Sequence, residues 1–161
     1  VTDFERKIPK KDVYLFWSLL KKDKNDWVLQ KCTELGINHF VPLLADRSEK
    51  TGFNVERAQK IIVEASEQCG RGGIPSVREE SHILTVLEEF SSKLPLFICE
   101  QGEEGEFGLL DSVGILIGPE GGWSDVEKQL FKDSDTSHIN LHDFTLRAET
   151  ACVAATARLL Q

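Results

Sequence analysis

The sequence predicts an α/β domain with a mainly parallel sheet and helices on both faces, and three observations carry that prediction. Short apolar runs rich in branched and aromatic residues alternate along the chain with segments whose apolar residues recur at helical spacing. Glycine, proline or a capping residue marks many of the junctions. The 161 residues, 40% hydrophobic and 29% charged, suffice for one domain with its own core. Parallel neighbours need crossover connections, and the intervening helices supply them.

The first run, Val13 to Leu20, reads as a buried strand closed by Lys21-Lys22-Asp23. Asn25 or Asp26 is suited to cap a helix to Glu34, in which Val28, Leu29, Cys32 and Leu35 keep helical spacing and Gly36 supplies the stop. Ile37 to Leu44 is a second strand, followed by a polar stretch to Gly52. Asn54 opens a second helix to about Cys69, ended by Gly70-Arg71-Gly72-Gly73-Ile74-Pro75. Ser81 to Phe90 reads as helix and Leu94 to Glu100 as strand, followed by an acidic, glycine-containing stretch from Gln101 to Gly108. Val113 to Ile117 is a further apolar strand running into Gly118-Pro119-Glu120-Gly121-Gly122-Trp123. Ser124 and Glu127 fit a capping box for a helix to about Asp133, since each satisfies a free N–H of the first turn. Thr136 to Leu141 is a short strand, His142 to Leu146 a loop, and Arg147 to Leu160 a last helix. That helix is apolar nearly all round, so it is covered on several sides, and a second copy of the chain is a natural cover. A homodimer is expected.

No apolar run of about 18 residues exists and Val1 to Lys11 is polar, so neither a membrane span nor a secretory leader is expected, and the protein is placed in the cytoplasm. Methionine is absent even at position 1, which suggests a piece excised from a longer protein. Cys32, Cys69, Cys99 and Cys152 show no metal-ligand spacing and read as reduced, mostly buried thiols; no metal is expected. A net charge of −8 argues against a generic polyanion binder. The charge is uneven, however. Residues 1–80 carry 14 basic against 13 acidic groups, whereas 81–161 carry 5 against 14. Lys21, Lys22, Lys24, Lys31, Arg47, Lys50, Arg57, Lys60, Arg71 and Arg78 all belong to the first half.

Three segments are candidates for chemistry. Ile115 to Gly122 lies where ligands collect in parallel sheets, beyond the carboxyl end of a strand, and its glycines admit close backbone approach. It is no phosphate-binding P-loop, because no lysine follows Gly122, and alone such a segment more often marks a tight turn. In Leu141 to Ala151, Thr145 suits a helix cap and Glu149 the positive helix end, but Arg147 sits where a cation is disfavoured, which suggests a specific partner. Glu64, Gln68 and Arg71 are spaced four and three apart and share one face if the helix reaches Arg71. A carboxylate, an amide and a guanidinium together can read the edge of a base, although such a stripe is more often a solvated face.

Four motifs stand in order: Gln30-Lys31-Cys32-Thr33-Glu34-Leu35-Gly36, Glu64-Ala65-Ser66-Glu67-Gln68-Cys69-Gly70-Arg71, Ile117-Gly118-Pro119-Glu120-Gly121-Gly122 and Leu146-Arg147-Ala148-Glu149-Thr150-Ala151. Together they resemble the RsmE family, the 16S ribosomal RNA uridine-N3 methyltransferases of the SPOUT superfamily, over about Val13 to Leu160. The resemblance implies a SPOUT-type α/β fold with a C-terminal trefoil knot over residues 1–161, a homodimer, and a ribosomal RNA or small-subunit substrate. It also implies S-adenosylmethionine, held by two loops and the helix start after them. Here these are Leu116, Ile117, Gly118, Pro119, Glu120, Gly121 and Gly122; Leu141, His142 and Leu146; and Glu149, Thr150 and Ala151. Arg71 is implied as stabiliser of charge on the base and Glu64 as proton acceptor at N3. Gln68, Arg47 and Arg147 are implied as substrate contacts. Members normally carry a small β-barrel RNA-binding domain ahead of this one, and it is absent from this sequence. Glycine is usual where His142 stands and an arginine or similar polar residue where Phe144 stands. The alternative is a non-catalytic ribosome-assembly or RNA-binding module that retains the knotted fold.

Overall fold

The computed structural model describes residues 5–49, 52–102 and 105–161. Lys50 of the basic group, with Glu103 and Glu104 of the acidic stretch, lies outside the described residues. Strands β1 (Asp12–Ser18), β2 (His39–Leu44), β3 (Ser76–Val77), β4 (Ser81–His82), β5 (Leu96–Cys99), β6 (Ser112–Ile117) and β7 (Thr136–Ile139) form one sheet. Its order is β3-β2-β1-β6-β5-β7, with β4 also on β2, and every pairing is parallel. The helices are α1 (Lys22–Leu35), α2 (Val55–Cys69), α3 (Ile83–Phe90), α4 (Asp125–Lys132) and α5 (Ala148–Leu159).

The central strand β1 shows why the sheet is covered twice. Val13, Leu15 and Trp17 point to one face, where they meet Val28, Leu29 and Cys32 of α1, Ala58 and Ile62 of α2, and Cys152 and Ala155 of α5. Phe16 points to the other face, among Val86, Leu87 and Phe90 of α3 and Phe131 of α4. The expected α/β architecture with two helical layers is therefore the observed one.

Local chemistry explains the element ends. Gly36 and Gly70 close α1 and α2 in the left-handed region, at φ 113° and 72°, which L-residues rarely adopt. Asn54 caps α2, its side chain accepting from Arg57 N at 2.9 Å. Ser124 and Glu127 form both halves of the capping box of α4.

Five details differ from expectation. Helix α1 begins at Lys22, after Lys21, so neither Asn25 nor Asp26 is its cap. Asn25 is buried instead: its Oδ1 accepts from Trp17 Nε1 and Leu20 N, and its Nδ2 donates to Leu20 O. A polar residue that satisfies three groups at the strand exit mimics a cap in sequence. The two-residue strands β3 and β4 are too short to show a period, and β4 takes Ser81–His82 from the expected helix. The strands expected over Leu94 to Glu100 and Thr136 to Leu141 are trimmed to Leu96–Cys99 and Thr136–Ile139. Arg147, not Thr145, is the residue before α5, and it makes no side-chain cap bond. Finally, α2 ends at Cys69 as expected, so the condition for a shared face is not met and Arg71 leaves the stripe of Glu64 and Gln68.

Helix α5 packs on α1 through small residues, with Cys152, Ala155 and Thr156 buried, and Lys11 Nζ donates to the Leu159 carbonyl at 2.7 Å. Val153, Ala154 and Ala157 stay partly exposed and form an apolar strip on the outer side.

Candidate functional site

A cavity of about 590 Å³ opens beyond the carboxyl ends of β5, β6 and β7. Open parallel sheets place their ligand sites there, because helix starts and irregular backbone face the strand ends. One wall is the loop after β6, with Ile117, Gly118, Pro119, Glu120, Gly122 and Trp123. The opposite wall runs from Asn140 to the start of α5 and includes Leu141, His142, Phe144, Thr145, Leu146, Ala148 and Ala151. Cys99, Glu100 and Gln101 close one side, and Lys128, Lys132 and His138 lie along the rim.

The two walls are held from several directions. The Trp123 indole lies flat against Gly118, where a Cβ would come within 2.8 Å of it, so only glycine fits without displacing the ring. Arg47 Nη1 donates to the Gly121 carbonyl at 2.8 Å. Asp46 takes a hydrogen bond from Ser124 Oγ, and its backbone N donates to Glu127 Oε1 at 2.8 Å. The segment after β2 is thereby tied to the glycine loop and to the start of α4. Across the mouth, Gln101 pins the other loop twice. Its Nε2 donates to Asp143 O at 3.2 Å, and its Oε1 accepts from Thr145 Oγ1 at 2.6 Å.

Charge is organised around Lys24, which meets Glu120 at 2.7 Å and Glu149 at 3.3 Å. The hydrogen bond from Lys24 holds the Glu120 carboxyl below its usual range, and the same bond raises the lysine. Glu149 Oε2 is buried without a partner. Burial pushes the Cys99 thiol up to about 12, so it is a neutral part of the wall. His138 Nδ1 lies 2.9 Å from Glu100 Oε2. Among the described residues no group of three or more His, Cys, Asp or Glu side chains is arranged to hold a metal ion, and no helix is long and apolar enough to cross a membrane.

The candidate residues fall into three sets. Ile117, Gly118, Pro119, Glu120, Gly122, Leu141, His142, Leu146 and Ala151 line the cavity. Leu116, Gly121, Glu149 and Thr150 do not: Leu116 points into the opposite core face, Gly121 offers its carbonyl to Arg47, Glu149 turns to Lys24, and Thr150 is exposed. Arg47 and Arg147 stand at the edges of the walls. Glu64, Gln68 and Arg71 form the third set, and a single chain does not bring them to the cavity. Helix α2 runs back against the strands and carries Arg71 to their amino ends, where its Nη1 donates to Thr33 O at 2.9 Å and Ile37 O at 2.8 Å. This guanidinium satisfies carbonyls at the end of α1, and burial lowers its pKa. Glu64 and Gln68 are exposed.

Sequence reasoning missed Cys99, Gln101, Trp123, Lys128, Lys132 and His138 as wall residues. Trp123 had a signal, since it directly follows the glycine loop; the others arrive through the β6-β5-β7 order, which no local pattern encodes.

Residues 6–160 match the RNA methyltransferase domain family. The chain is 28% identical to ribosomal RNA small subunit methyltransferase E of Aquifex aeolicus, over 99% of its length and 73% of that relative. With the Bacillus subtilis protein of the same name it shares 33% identity over 93% of its length and 65% of the relative. The crystal structure of ribosomal RNA small subunit methyltransferase E from Neisseria gonorrhoeae, bound to S-adenosyl methionine, superposes with a TM-score of 0.87 at 28% identity, covering 96% of this chain and 67% of that one.

Proposed function

This chain belongs to the RNA methyltransferase domain family, and on that premise we propose that it transfers a methyl group from S-adenosylmethionine to N3 of a uridine in small-subunit (16S) ribosomal RNA. One observation carries the proposal: the cavity beyond β5, β6 and β7, walled by the glycine loop and the loop before α5. Its volume is within the roughly 300–1,000 Å³ range of small-molecule sites.

The residues present fit such a cofactor. Ile117, Leu141, Leu146, Ala148 and Ala151 give an apolar floor for an adenosyl group, and glycine and proline backbone at 118, 119 and 122 allows close approach. When bound, S-adenosylmethionine supplies a sulfonium-activated methyl group. The chain's own task is to hold a uracil in line with that methyl, accept the N3 proton and offset the charge that develops on the base. In this proposal Arg47, beside the glycine loop, and Arg147, next to the start of α5, would take RNA phosphate. Glu64, Gln68 and Arg71 would serve as proton acceptor, base-fixing amide and charge stabiliser only from a second copy, which ties their role to the proposed homodimer. The apolar strip of Val153, Ala154 and Ala157 on α5 supports that dimer.

The proposal includes a single cytoplasmic domain over residues 1–161 and a knotted C-terminal segment. Arg158 of α5 supports the knot: it donates to Asn140 O at 2.7 Å and Gly105 O at 3.5 Å, drawing the helix, the loop before it and the β5–β6 connection together. Mechanical extension from the two ends would then stop short of the contour length of 161 residues.

A second reading, a non-catalytic ribosome-assembly or RNA-binding module, is favoured by one observation: the Arg71 guanidinium is committed to two carbonyls at the amino ends of the strands. Incubating the chain with methyl-labelled S-adenosylmethionine and small-subunit ribosomal RNA, then digesting the RNA to nucleosides, separates the two. Label in 3-methyluridine is expected, label in another nucleoside rejects N3, and no transfer by a chain that still binds the RNA favours the module.

A further inference from the structure

The mouth of the cavity carries an aromatic ring that no packing explains. Phe144 is 75% exposed, although its two χ angles and apolar ring would ordinarily be used in a core. The ring is nevertheless held on a fixed stem. Phe144 N donates to His142 Nδ1 at 3.1 Å, His142 N donates to Asn140 Oδ1 at 3.3 Å, and Gln101 holds the residues on either side of Phe144. The His142 imidazole lies beside the phenyl, centroids 5.4 Å apart with planes inclined by 35°. Both rings line the cavity.

We propose that Phe144, with His142 beside it, is a stacking platform for an RNA base at the cavity mouth; the proposal rests on the methyltransferase reading of that cavity. A flat, pre-positioned π-face next to a small-molecule site suits a nucleobase, whose stacking on an aromatic side chain is tolerant of sequence. The charge of the chain points the same way. At net −8 it gains little from general phosphate attraction, so base contacts gain weight beside the few local phosphate contacts. The base held there is either the target uridine or its neighbour.

The test uses the 161-residue chain, Phe144→Ala and Phe144→Trp, each titrated with labelled pentauridylate and with an abasic strand of equal length. S-adenosylhomocysteine affinity and sedimentation are measured on the same samples. The native chain should bind pentauridylate more tightly than the abasic strand. Phe144→Ala should lose about 5- to 150-fold for pentauridylate, a larger factor than any it loses for S-adenosylhomocysteine, with its assembly state unchanged, and Phe144→Trp should recover the binding. Equal affinity of the native chain for both strands, or no binding of either, overturns the platform. So does a matching loss of S-adenosylhomocysteine affinity in Phe144→Ala, which would assign the ring to the cofactor, or dissociation of a native dimer, which would assign it to a subunit contact. Base-dependent binding by a chain that binds no S-adenosylhomocysteine would uphold the platform and reject the methyltransferase reading.

Discussion

Substituting Gly118 by alanine tests whether the glycine loop is built around Trp123. The added methyl would lie 2.8, 3.1 and 3.2 Å from three indole atoms, against roughly 3.5–4.0 Å for a relaxed carbon contact. Relief needs a shift of about half to one ångström. The indole is 3% exposed and packed edge-on against Phe131 with centroids 5.0 Å apart, so the side on which it can yield is the cavity. Overpacking of this kind costs about 1–3 kcal/mol. At about 2–4 °C per kcal/mol for a chain of this size, Tm should fall by roughly 2–12 °C. Gly118 and Trp123 both wall the cavity, so the same shift should weaken S-adenosylhomocysteine binding by about tenfold or more, or about 1.4 kcal/mol. Gly121→Ala is the control, because its methyl would meet Arg47 at 3.4 and 3.5 Å, an ordinary contact. Thermal unfolding and calorimetric titration of the two variants decide the matter. A Gly118→Ala protein matching the native one in both would refute the close fit of loop and indole.

Asn25→Ala leaves the Trp17 and Leu20 groups unsatisfied, and urea unfolding should show a loss of about 2–4 kcal/mol; a loss under half a kcal/mol would mean water replaces the amide. Arg71→Ala removes two charge-assisted bonds to the end of α1 and should cost about 1.5–3 kcal/mol by the same assay, even without substrate. Arg78 grips Glu89 through two bonds of 2.9 and 2.6 Å and holds its carboxyl below the usual 4.5. A depressed carboxylate stabilises the fold above its unfolded pKa and loses that contribution as pH falls through the folded one. The stability gap between native and Glu89→Gln protein, at most about 1 kcal/mol for so exposed a pair, should therefore be present at neutral pH and close below pH 4.5. Of the four free thiols only Cys69 is exposed, so an aromatic disulfide reagent should titrate one thiol quickly, the half-buried Cys99 at the cavity wall more slowly, and Cys32 and Cys152 on unfolding. Rapid reaction of Cys32 or Cys152 would contradict their burial.

Elements with a local cause were legible in the sequence. Asn54 and Gly70 bracket α2 because a side-chain acceptor and a positive φ are properties of those residues alone. Ser124 and Glu127 announce α4 in the same way, and the apolar runs of β1 and β6 need two-sided cover wherever they lie. Asn25 was misleading because a buried asparagine that serves a strand exit has the same neighbours as a cap. The glycine loop and the segment before α5 were visible as candidate walls, each adjoining a strand or helix end. Their meeting across β5 and β7 depends on sheet order, a long-range pairing without local signature. Arg71 shows the cost of assuming a continued period: one left-handed glycine separates it from Glu64 and Gln68 and turns it toward α1.

The most direct test of the account is calorimetric titration of the native chain with S-adenosylhomocysteine, repeated with Gly118→Ala. The account predicts one site per chain, weakened in the variant. A folded chain that takes up no ligand, or one whose affinity ignores Gly118→Ala, would contradict the assignment of the cavity beyond β5, β6 and β7 as the cofactor site.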